Sequence, residues 1–436
     1  PEEWKTLNSA LLLKLMSATL AGGSNEFYMN NILNEYGPEV VKNLFPDYPF
    51  REDPIIPVGT KWNFKPEELP QPPALLTKAG QNIQTTEKVE GVGSNNWAVS
   101  GSKTASGFPI LANDPHLDLS LPSIWYQIQL VTNNSNVYGV SLPGAPGVII
   151  GFNNKVAWGV TNVDADVLDW YQIKFRDNSK QEYWYNNKWN KVKRRIETIG
   201  VRGSETITDT VYYTHQGPVV YLEGQKPAGL AKANNIPVGH ALRWVAHDPS
   251  NEFRAIYLLN RSQNYQDYRK AITYFSAPAQ NFIFASSDND IAITPNGYFP
   301  LKYRDQGKFI LDGSLPADDW HGRIPADQNP TVKNPARGFV SSANQSSTDP
   351  TYPYYINWEF APYERAHRIN NRLTVMTKAT IDSMRSLQND NYSILAENIR
   401  LNLIKSVNPE KLNASQKEAF QIVSKWNNFY NAGEVG

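Results

Sequence analysis

The sequence predicts an α+β fold, with helical patterns at both ends of the chain and a long strand-rich middle. Three observations carry this. Trp4, Leu7, Leu11, Leu12, Leu15, Met16 and Leu20 recur at helical spacing near the start. From Ser94 onward, short runs of β-branched and aromatic residues alternate with turns. From Ala366 the pattern is again mainly helical. Segregated helices and strands favour stacked layers over an alternating βαβ sheet. Several strands are apolar along their whole length, as expected where helices cover a sheet.

Taken in order, residues 1–22 read as an amphipathic helix ended by Gly22-Gly23. Ser24 can cap a second helix that runs to Tyr36 and stops at Gly37, and a short third helix follows over Pro38–Leu44. From Pro46 to Gly93 the periodicity fails. Proline is dense there, and Thr77 to Glu90 is polar throughout, so the stretch reads as an exposed linker open to proteolysis. Strands are expected at Trp97–Val99, Ile124–Val131, Val137–Val140, Val148–Gly151, Val156–Val160, Trp170–Phe175, Thr206–Tyr213 and Val219–Leu222. One helix is expected over Glu252–Lys270, then strands at Asn281–Ala285, Ile291–Thr294 and Gly338–Ser342. No internal repeat or low-complexity tract interrupts the series.

Composition narrows the classes. At 436 residues the chain has room for two or three ordinary cores or one large layered one. Lys plus Arg and Asp plus Glu are both 42, so no basic excess points to nucleic acid as a partner. With no cysteine, disulfides and thiolate metal sites are excluded. No apolar run approaches the ~18 residues of a membrane-spanning helix. The chain opens on Pro1 and shows no signal-peptide pattern, as expected of a processed or truncated piece.

The stretch with most chemical meaning is Gly91-Val92-Gly93-Ser94-Asn95-Asn96-Trp97. Alone, a serine after a glycine is a turn. A chain break after Gly93 would change that, because Ser94 would become an N-terminus. Its α-amine, a group that ordinarily titrates at about 7.7–8.0, would then sit beside its own hydroxyl. Base and nucleophile would share one residue, with no histidine required. Glycine before the serine lets the backbone bend and leaves the hydroxyl room to attack the preceding carbonyl.

Rival motifs are few. Ser100-Gly101-Ser102-Lys103 fits S-x-x-K and Ser287-Asp288-Asn289 spells S-D-N, the signature of penicillin-recognising serine enzymes. Yet Gly101, Gly107 and Pro109 surround a serine that should open a buried helix, and no K-T-G strand follows. Of six histidines, no two share a metal-ligand spacing on one element. His116 stands out because Asn113-Asp114-Pro115-His116 reads as a turn soon after Ser94. Asp164, Asp166 and Asp169 cluster after a strand, either as a solvated acidic turn or as a Ca²⁺ site, since hard cations prefer carboxylate and carbonyl oxygens.

These residues resemble the penicillin acylase family of N-terminal nucleophile hydrolases. Ser94-Asn95-Asn96-Trp97 is similar to the start of that family's β chain. Ala112-Asn113-Asp114-Pro115-His116, Gly151-Phe152-Asn153-Asn154 and Ala157 through Val163 follow in the family's order. So do Asp166 to Asp169, Ala241-Leu242-Arg243-Trp244, Gln280-Asn281-Phe282, Ser342-Ala343-Asn344-Gln345 and Phe360-Ala361-Pro362 with Arg365-Ala366.

The resemblance implies a four-layered αββα sandwich with helical additions, and a precursor that cuts itself between Gly93 and Ser94. Residues 1–50 would be the C-terminal part of a helical α chain, 51–93 a linker or spacer peptide, and 94–436 a β chain truncated at its end. It further implies an amidohydrolase that takes a small-molecule N-acyl amide, with neither nucleic acid nor membrane as partner, exported to the periplasm or medium. Ser94 would be nucleophile and its amine the base, with His116 positioning it. An N–H of Asn162 or Val163 and the side-chain amide of Asn281 would form the oxyanion hole. One structural Ca²⁺ per pair of chains would be held by Glu26, Asp166, Asp169 and the Leu168 carbonyl, joining the two chains. Met16, Leu20, Leu117 and Ile150 would line an acyl pocket, their aliphatic character favouring an aliphatic acyl amide or an acyl-homoserine lactone. Lys302 and Arg304 compete for a family arginine position, with Arg304 assigned to substrate. An uncut relative that only binds ligand is the other reading of the same fold.

Overall fold

In the computed structural model the chain is described over residues 3–21, 25–46, 48, 52–73, 93–117, 119–220 and 239–434. Helices α1 (Thr6–Ala21), α2 (Asn25–Tyr36) and α3 (Pro38–Leu44) come first. Gly37 ends α2 at φ 80, its N–H bonded to Leu33 O at 3.0 Å. This left-handed stop suits glycine, and Pro38 then opens α3. The expected stop at Gly22-Gly23 and cap at Ser24 lie outside the described residues, as do Thr77–Glu90 and Leu222.

Strands β1 (Gly93–Val99), β2 (Ile110–His116), β3 (Tyr126–Thr132), β4 (Ser135–Ser141), β5 (Ile150–Asn153), β6 (Val156–Asn162) and β7 (Leu168–Gln172) follow. Next come β8 (Glu182–Tyr185), β9 (Lys188–Lys191), β10 (Lys193–Ile199), β11 (Ile207–Tyr213), β12 (Pro218–Val219) and β13 (His240–Trp244). Helices α4 (Glu252–Leu259) and α5 (Tyr265–Ile272) precede β14 (Gln280–Ser286), β15 (Ile291–Asn296), β16 (Leu311–Asp312), β17 (Val332–Lys333) and β18 (Phe339–Ser342). Helices α6 (Glu364–Val375), α7 (Ile381–Gln388), α8 (Ile394–Ser406) and α9 (Ala414–Lys425) close the series.

Two antiparallel sheets make the centre, one in the order β18-β1-β2 and one in the order β17-β15-β14-β6-β5-β4-β3. Side chains alternate across each strand, and this sorts the core into layers. Ala98 and Val340 point between the sheets, against Ile283, Ile291 and Ile293. Trp97, Val99 and Phe339 point the other way, against Ile369 and Leu373 of α6 and Met384 of α7. On the far side Phe282 and Phe284 meet Leu259, Tyr268 and Ile272 of α4 and α5. The layers therefore run helix, sheet, sheet, helix. Both faces of β14, β15 and β18 are covered, which explains their unbroken burial. Each buried apolar side chain contributes roughly 1.5–3 kcal/mol. A third sheet, β10-β11-β12-β13-β7-β16, extends from the turn after β6.

Several expectations change. Asn113–His116 is the end of strand β2 rather than a turn. Pro115 lacks an N–H, but β2 is an edge strand, where that is tolerated. The single helix over Glu252–Lys270 is two, because the Asn264 side chain caps α5 by accepting from Asp267 N at 2.9 Å. Helix α1 turns Ser9, Leu13 and Ser17 inward and leaves Leu7, Leu11 and Leu15 exposed. Its inner face is small and polar: the Ser9 hydroxyl donates to Gly144 O, and Lys14 Nζ donates to Ser250 Oγ at 2.8 Å.

The exposed linker does not begin at Pro46. Ile55 and Ile56 are fully buried between the central sheets' residues, and their N–H groups donate to Ser346 O and Ser347 O, both at 3.0 Å. Trp62 and Phe64 pack on Tyr352 and Tyr354. Apolar pairs set between prolines bind this strap to the sheet. Among the described residues, no helix is long and apolar enough to cross a membrane.

Beside the strap, Glu52 Oε2 is buried and accepts no hydrogen bond among the described residues. Burial first, then Glu364 and Asp53, push its pKa up to about 7. The folded chain therefore holds this proton more tightly than the unfolded one. Stability contributed by the neutral form is complete below the unfolded value and is lost as pH rises through about 7. Thermal melts should show Glu52→Gln gaining on the parent protein above pH 7 and matching it below about pH 4.5; an equal difference at all pH values would contradict this.

Candidate active site

The strand alternation that sends Ala98 between the sheets sends Asn96 and Ser94 there too. Ser94 is 6% exposed at the open end of β1. Its neighbour across β1–β18 follows from register. Asn96 pairs with Ser342 in an antiparallel ladder, so Ser94 faces position 344 just beyond the strand end. Asn344 sits there at φ 65, a left-handed conformation that asparagine tolerates better than most side chains. Its side chain is thereby folded back onto Ser94. Oδ1 accepts from Ser94 N at 2.7 Å, and Nδ2 donates to Ser94 Oγ at 3.3 Å and to Asn162 O at 2.8 Å.

From the facing sheet, Asn162 N, at the end of β6, donates to Ser94 Oγ at 3.4 Å. Two fixed donors thus converge on the serine oxygen. The Asn162 side chain donates to Leu20 O at 2.7 Å and Asp164 Oδ1 at 2.6 Å, tying β6 to helix α1.

Arg365, in the first turn of α6, closes the group. Its Nη1 donates to Asn95 Oδ1 at 2.7 Å and Ser94 O at 3.3 Å, and its Nη2 to Asn344 Oδ1 at 3.1 Å. Burial lowers its pKa, offset by Asp164 and Asp114, but a guanidinium remains charged. A Cβ at Gly93 would meet Arg365 Nη2 at 3.1 Å and Asn344 Oδ1 at 3.2 Å, so the residue before Ser94 has little room to be anything larger.

His116 pairs with Gly93 across β1–β2. Its Nε2 lies 3.1 Å from Asp114 Oδ2 and 3.4 Å from Asn95 Nδ2. The ring is turned to these groups, and His116 bears on Ser94 through the strand pairing.

Three expected residues fall elsewhere. Asn281 lies on β14 of the other sheet, fully buried, and its amide donates to Asn162 O, Ser342 Oγ and Thr161 Oγ1 at 2.9, 3.1 and 3.2 Å. It braces the sheet crossing, while the amide beside Ser94 Oγ is that of Asn344. Val163 N donates to Ala279 O at 3.3 Å, which leaves Asn162 as the backbone donor. Arg304 is exposed and outside the cavity lining. The arginine beside Ser94 is Arg365. Sequence reasoning passed over Asn344 and Arg365, although both stand in motif blocks it used.

A cavity of about 1080 Å³ opens onto Ser94, large enough for an organic ligand. Met16, Leu20, Leu117 and Ile150 all line it, together with Phe275 and Phe282. The S-x-x-K serine is elsewhere. Asn289 does approach Gly101, but Ser100 Oγ shares a 2.7 Å hydrogen bond with Ser102 Oγ, Lys103 Nζ donates to Thr374 O, and neither Ser100 nor Lys103 lines the cavity.

Glu26, Asp166 and Leu168 line the same cavity, and Asp169 is fully buried close by. Lys302 Nζ lies 2.8 Å from Asp166 Oδ1 and 2.8 Å from Asp169 Oδ2. Trp320 Nε1 donates to Asp169 Oδ2, and Tyr355 OH donates to Asp166 Oδ2 at 3.1 Å. Burial lowers the Lys302 pKa, but Asp166 and Asp169 outweigh it and raise it overall. Burial raises Glu26, a backbone hydrogen bond partly offsets this, and Asp166 and Asp169 add to the rise. Among the described residues, no three acidic or histidine side chains are arranged to hold a metal ion. The residues present therefore do not fit the expected Ca²⁺: N–H and O–H donors and an ammonium take up the carboxylate oxygens a hard cation needs.

The family model for penicillin amidase matches residues 1–436. Acyl-homoserine lactone acylase QuiP of Pseudomonas aeruginosa is 27% identical over 407 residues, covering 92% of this chain and 48% of that protein. Penicillin acylase 2 proenzyme of Pseudomonas sp. (strain SE83) is 27% identical over 304 residues, covering 70% of this chain and 38% of that protein. The chain thus spans about half the length of the relatives it matches, or less. A solved thermostable penicillin G acylase from Alcaligenes faecalis superposes with a TM-score of 0.63 at 21% identity, over 77% of this chain and 59% of that one. That likeness agrees with the layered α+β architecture.

The geometry separates two asparagines. Asn344→Ala should lower any turnover that passes through Ser94 by about 10²–10³-fold, the cost typical of losing one oxyanion donor, on top of a stability loss of about 1–3 kcal/mol for buried partners left unpaired. Asn281→Ala should cost similar stability, about 1–3 kcal/mol for buried acceptors left unpaired, with turnover per folded molecule largely kept. Steady-state kinetics and melts on both variants check this, and the reverse pattern would restore Asn281 to the site.

Proposed function

We propose a function from one premise: this chain belongs to the penicillin amidase family, whose model spans it throughout. On that premise it is part or all of an N-acyl amide hydrolase whose nucleophile is Ser94 Oγ, exposed by scission of the Gly93–Ser94 bond. The observation that carries the reading is that Ser94's N and Oγ meet the two ends of one side chain, Asn344, with Asn162 N beside the same oxygen. A relative named as a proenzyme supports the cut.

In the cut, Ser94 Oγ attacks the Gly93 carbonyl and the peptide becomes an ester. Water then releases the Gly93 carboxylate and leaves a free amine on Ser94. In turnover that amine takes the hydroxyl proton as Oγ attacks the substrate amide. Asn162 N–H and Asn344 Nδ2 donate to the oxygen that gains charge. The proton passes to the leaving amine, and water resolves the acyl-Ser94 ester. Arg365 is a like charge beside the amine, so it disfavours the protonated form and keeps the base available near neutral pH. His116 Nε2 lies 3.4 Å from Asn95 Nδ2 and so reaches the end of β1 that survives the cut.

The cavity argues for substrate class. Met16, Leu20, Leu117 and Ile150 make part of its wall aliphatic, beside Phe275 and Phe282, and several relatives carry acyl-homoserine lactone acylase as their name. An aliphatic acyl amide is the substrate proposed. Apolar contacts discriminate by only about 1–3 kcal/mol per methylene, so a graded preference over chain length is expected. A two-chain product of one precursor, exported to the periplasm or medium, belongs to the same reading.

A denaturing gel with intact mass should give two polypeptides, the larger beginning at Ser94, and Ser94→Ala should give one uncut, inactive chain. Across N-acyl amides from acetyl to dodecanoyl, kcat/KM should rise with length and exceed that for phenylacetyl; phenylacetyl as the best substrate would refute the aliphatic pocket. Arg365→Gln should move the acid limb of the kcat/KM profile to higher pH, because the amine then keeps its proton longer. An unmoved limb would remove Arg365 from this role.

A further inference from the structure

The acidic cluster below the cavity contains its own cation. Lys302 is 2% exposed, with its ammonium 2.8 Å from carboxylate oxygens of both Asp166 and Asp169 and 3.0 Å from Asp169 Oδ1. The remaining acceptor positions are taken by Trp320 Nε1 and Tyr355 OH. Glu26, on helix α2, lines the same cavity, and burial first, then Asp166 and Asp169, favour its neutral form. Backbone approaches as closely as side chains do: Gly307 has φ +86, and a Cβ there would collide with Asp169 Oδ1 and come within 2.7 Å of Asp166 Oδ2. Ammonium, indole and phenol donors thus sit on the carboxylate oxygens that a divalent ion would need among its six to eight oxygen ligands.

We propose that Lys302 is a covalently tethered replacement for the divalent cation, so that Asp166 and Asp169 are joined by an internal ion cluster and the protein needs no calcium. A tethered charge cannot dissociate, so the joint is insensitive to chelators and to the calcium level of the surroundings. It also outlasts a cut at Gly93–Ser94, because Lys302, Asp166 and Asp169 all lie after that bond. The proposal goes beyond the hydrolase reading and does not rest on it: the cluster would act the same way if Ser94 performed no chemistry.

The test reads metal content and melting temperature rather than activity. After equilibration with calcium and desalting, atomic emission should find substoichiometric calcium in the parent protein. Its melting temperature should be the same in excess EGTA and in millimolar calcium. Lys302→Ala should melt several degrees lower in EGTA and regain part of the loss when calcium is added. One calcium retained per parent chain, or a parent melt that falls in EGTA and is restored by calcium, would overturn the proposal. So would a Lys302→Ala protein that melts with the parent. If Lys302→Ala does not accumulate, the parent measurements still decide.

Discussion

One carboxamide holds the centre of this molecule. Asn344 accepts from Ser94 N with its oxygen and donates to Ser94 Oγ with its nitrogen. A hydrogen bond in water is exchanged at little net gain, but here both partners are buried, and loss of either leaves unpaired polar atoms at a cost of about 1–3 kcal/mol each. The arrangement is therefore fixed before any ligand arrives. Preorganised donors of this kind cost no reorganisation during reaction, which is why they dominate transition-state stabilisation in acyl transfer.

The rest of the fold explains how a small amide is held so firmly. Trp97 and Val99 anchor β1 to α6 and α7, Ala98 anchors it to the facing sheet, and the same α6 sends Arg365 back over Ser94. Asn281 spans the crossing between sheets and fixes Asn162 O, which Asn344 Nδ2 also contacts. The strap at Ile55 and Ile56 bonds to Ser346 and Ser347, just beyond Asn344, and so braces the turn from the other side. Helix α1 contributes the cavity wall, and the Lys302 cluster sits beneath it.

The layers were legible in the sequence because burial on two faces leaves a continuous apolar signature, as in β14 and β15, and because helices and strands are segregated. Ser94 was singled out by its glycine and the order of motifs after it, and it lies on the cavity wall. What escaped has a common cause, since it depends on register and facing rather than on local pattern. Asn281 and Asn344 are both asparagines within matching blocks, and only the pairing of Asn96 with Ser342 puts the second beside Ser94. Pro115 signals a turn unless the strand is known to lie at an edge. Helix α1 carries apolar residues around much of its circumference, so spacing did not reveal that Ser9, Leu13 and Ser17 face inward. The acidic cluster looked like a cation site because the lysine that fills it is distant in sequence, 133 positions from Asp169.

The central claim is that a new chain terminus, rather than a histidine, activates the nucleophile. Peptide mass mapping of protein quenched during turnover of a slow N-acyl substrate tests this directly. The account predicts the acyl mass on a peptide whose first residue is Ser94. An acyl group on Ser100 or any other residue, or on a peptide in which Gly93 and Ser94 are still joined, would contradict it.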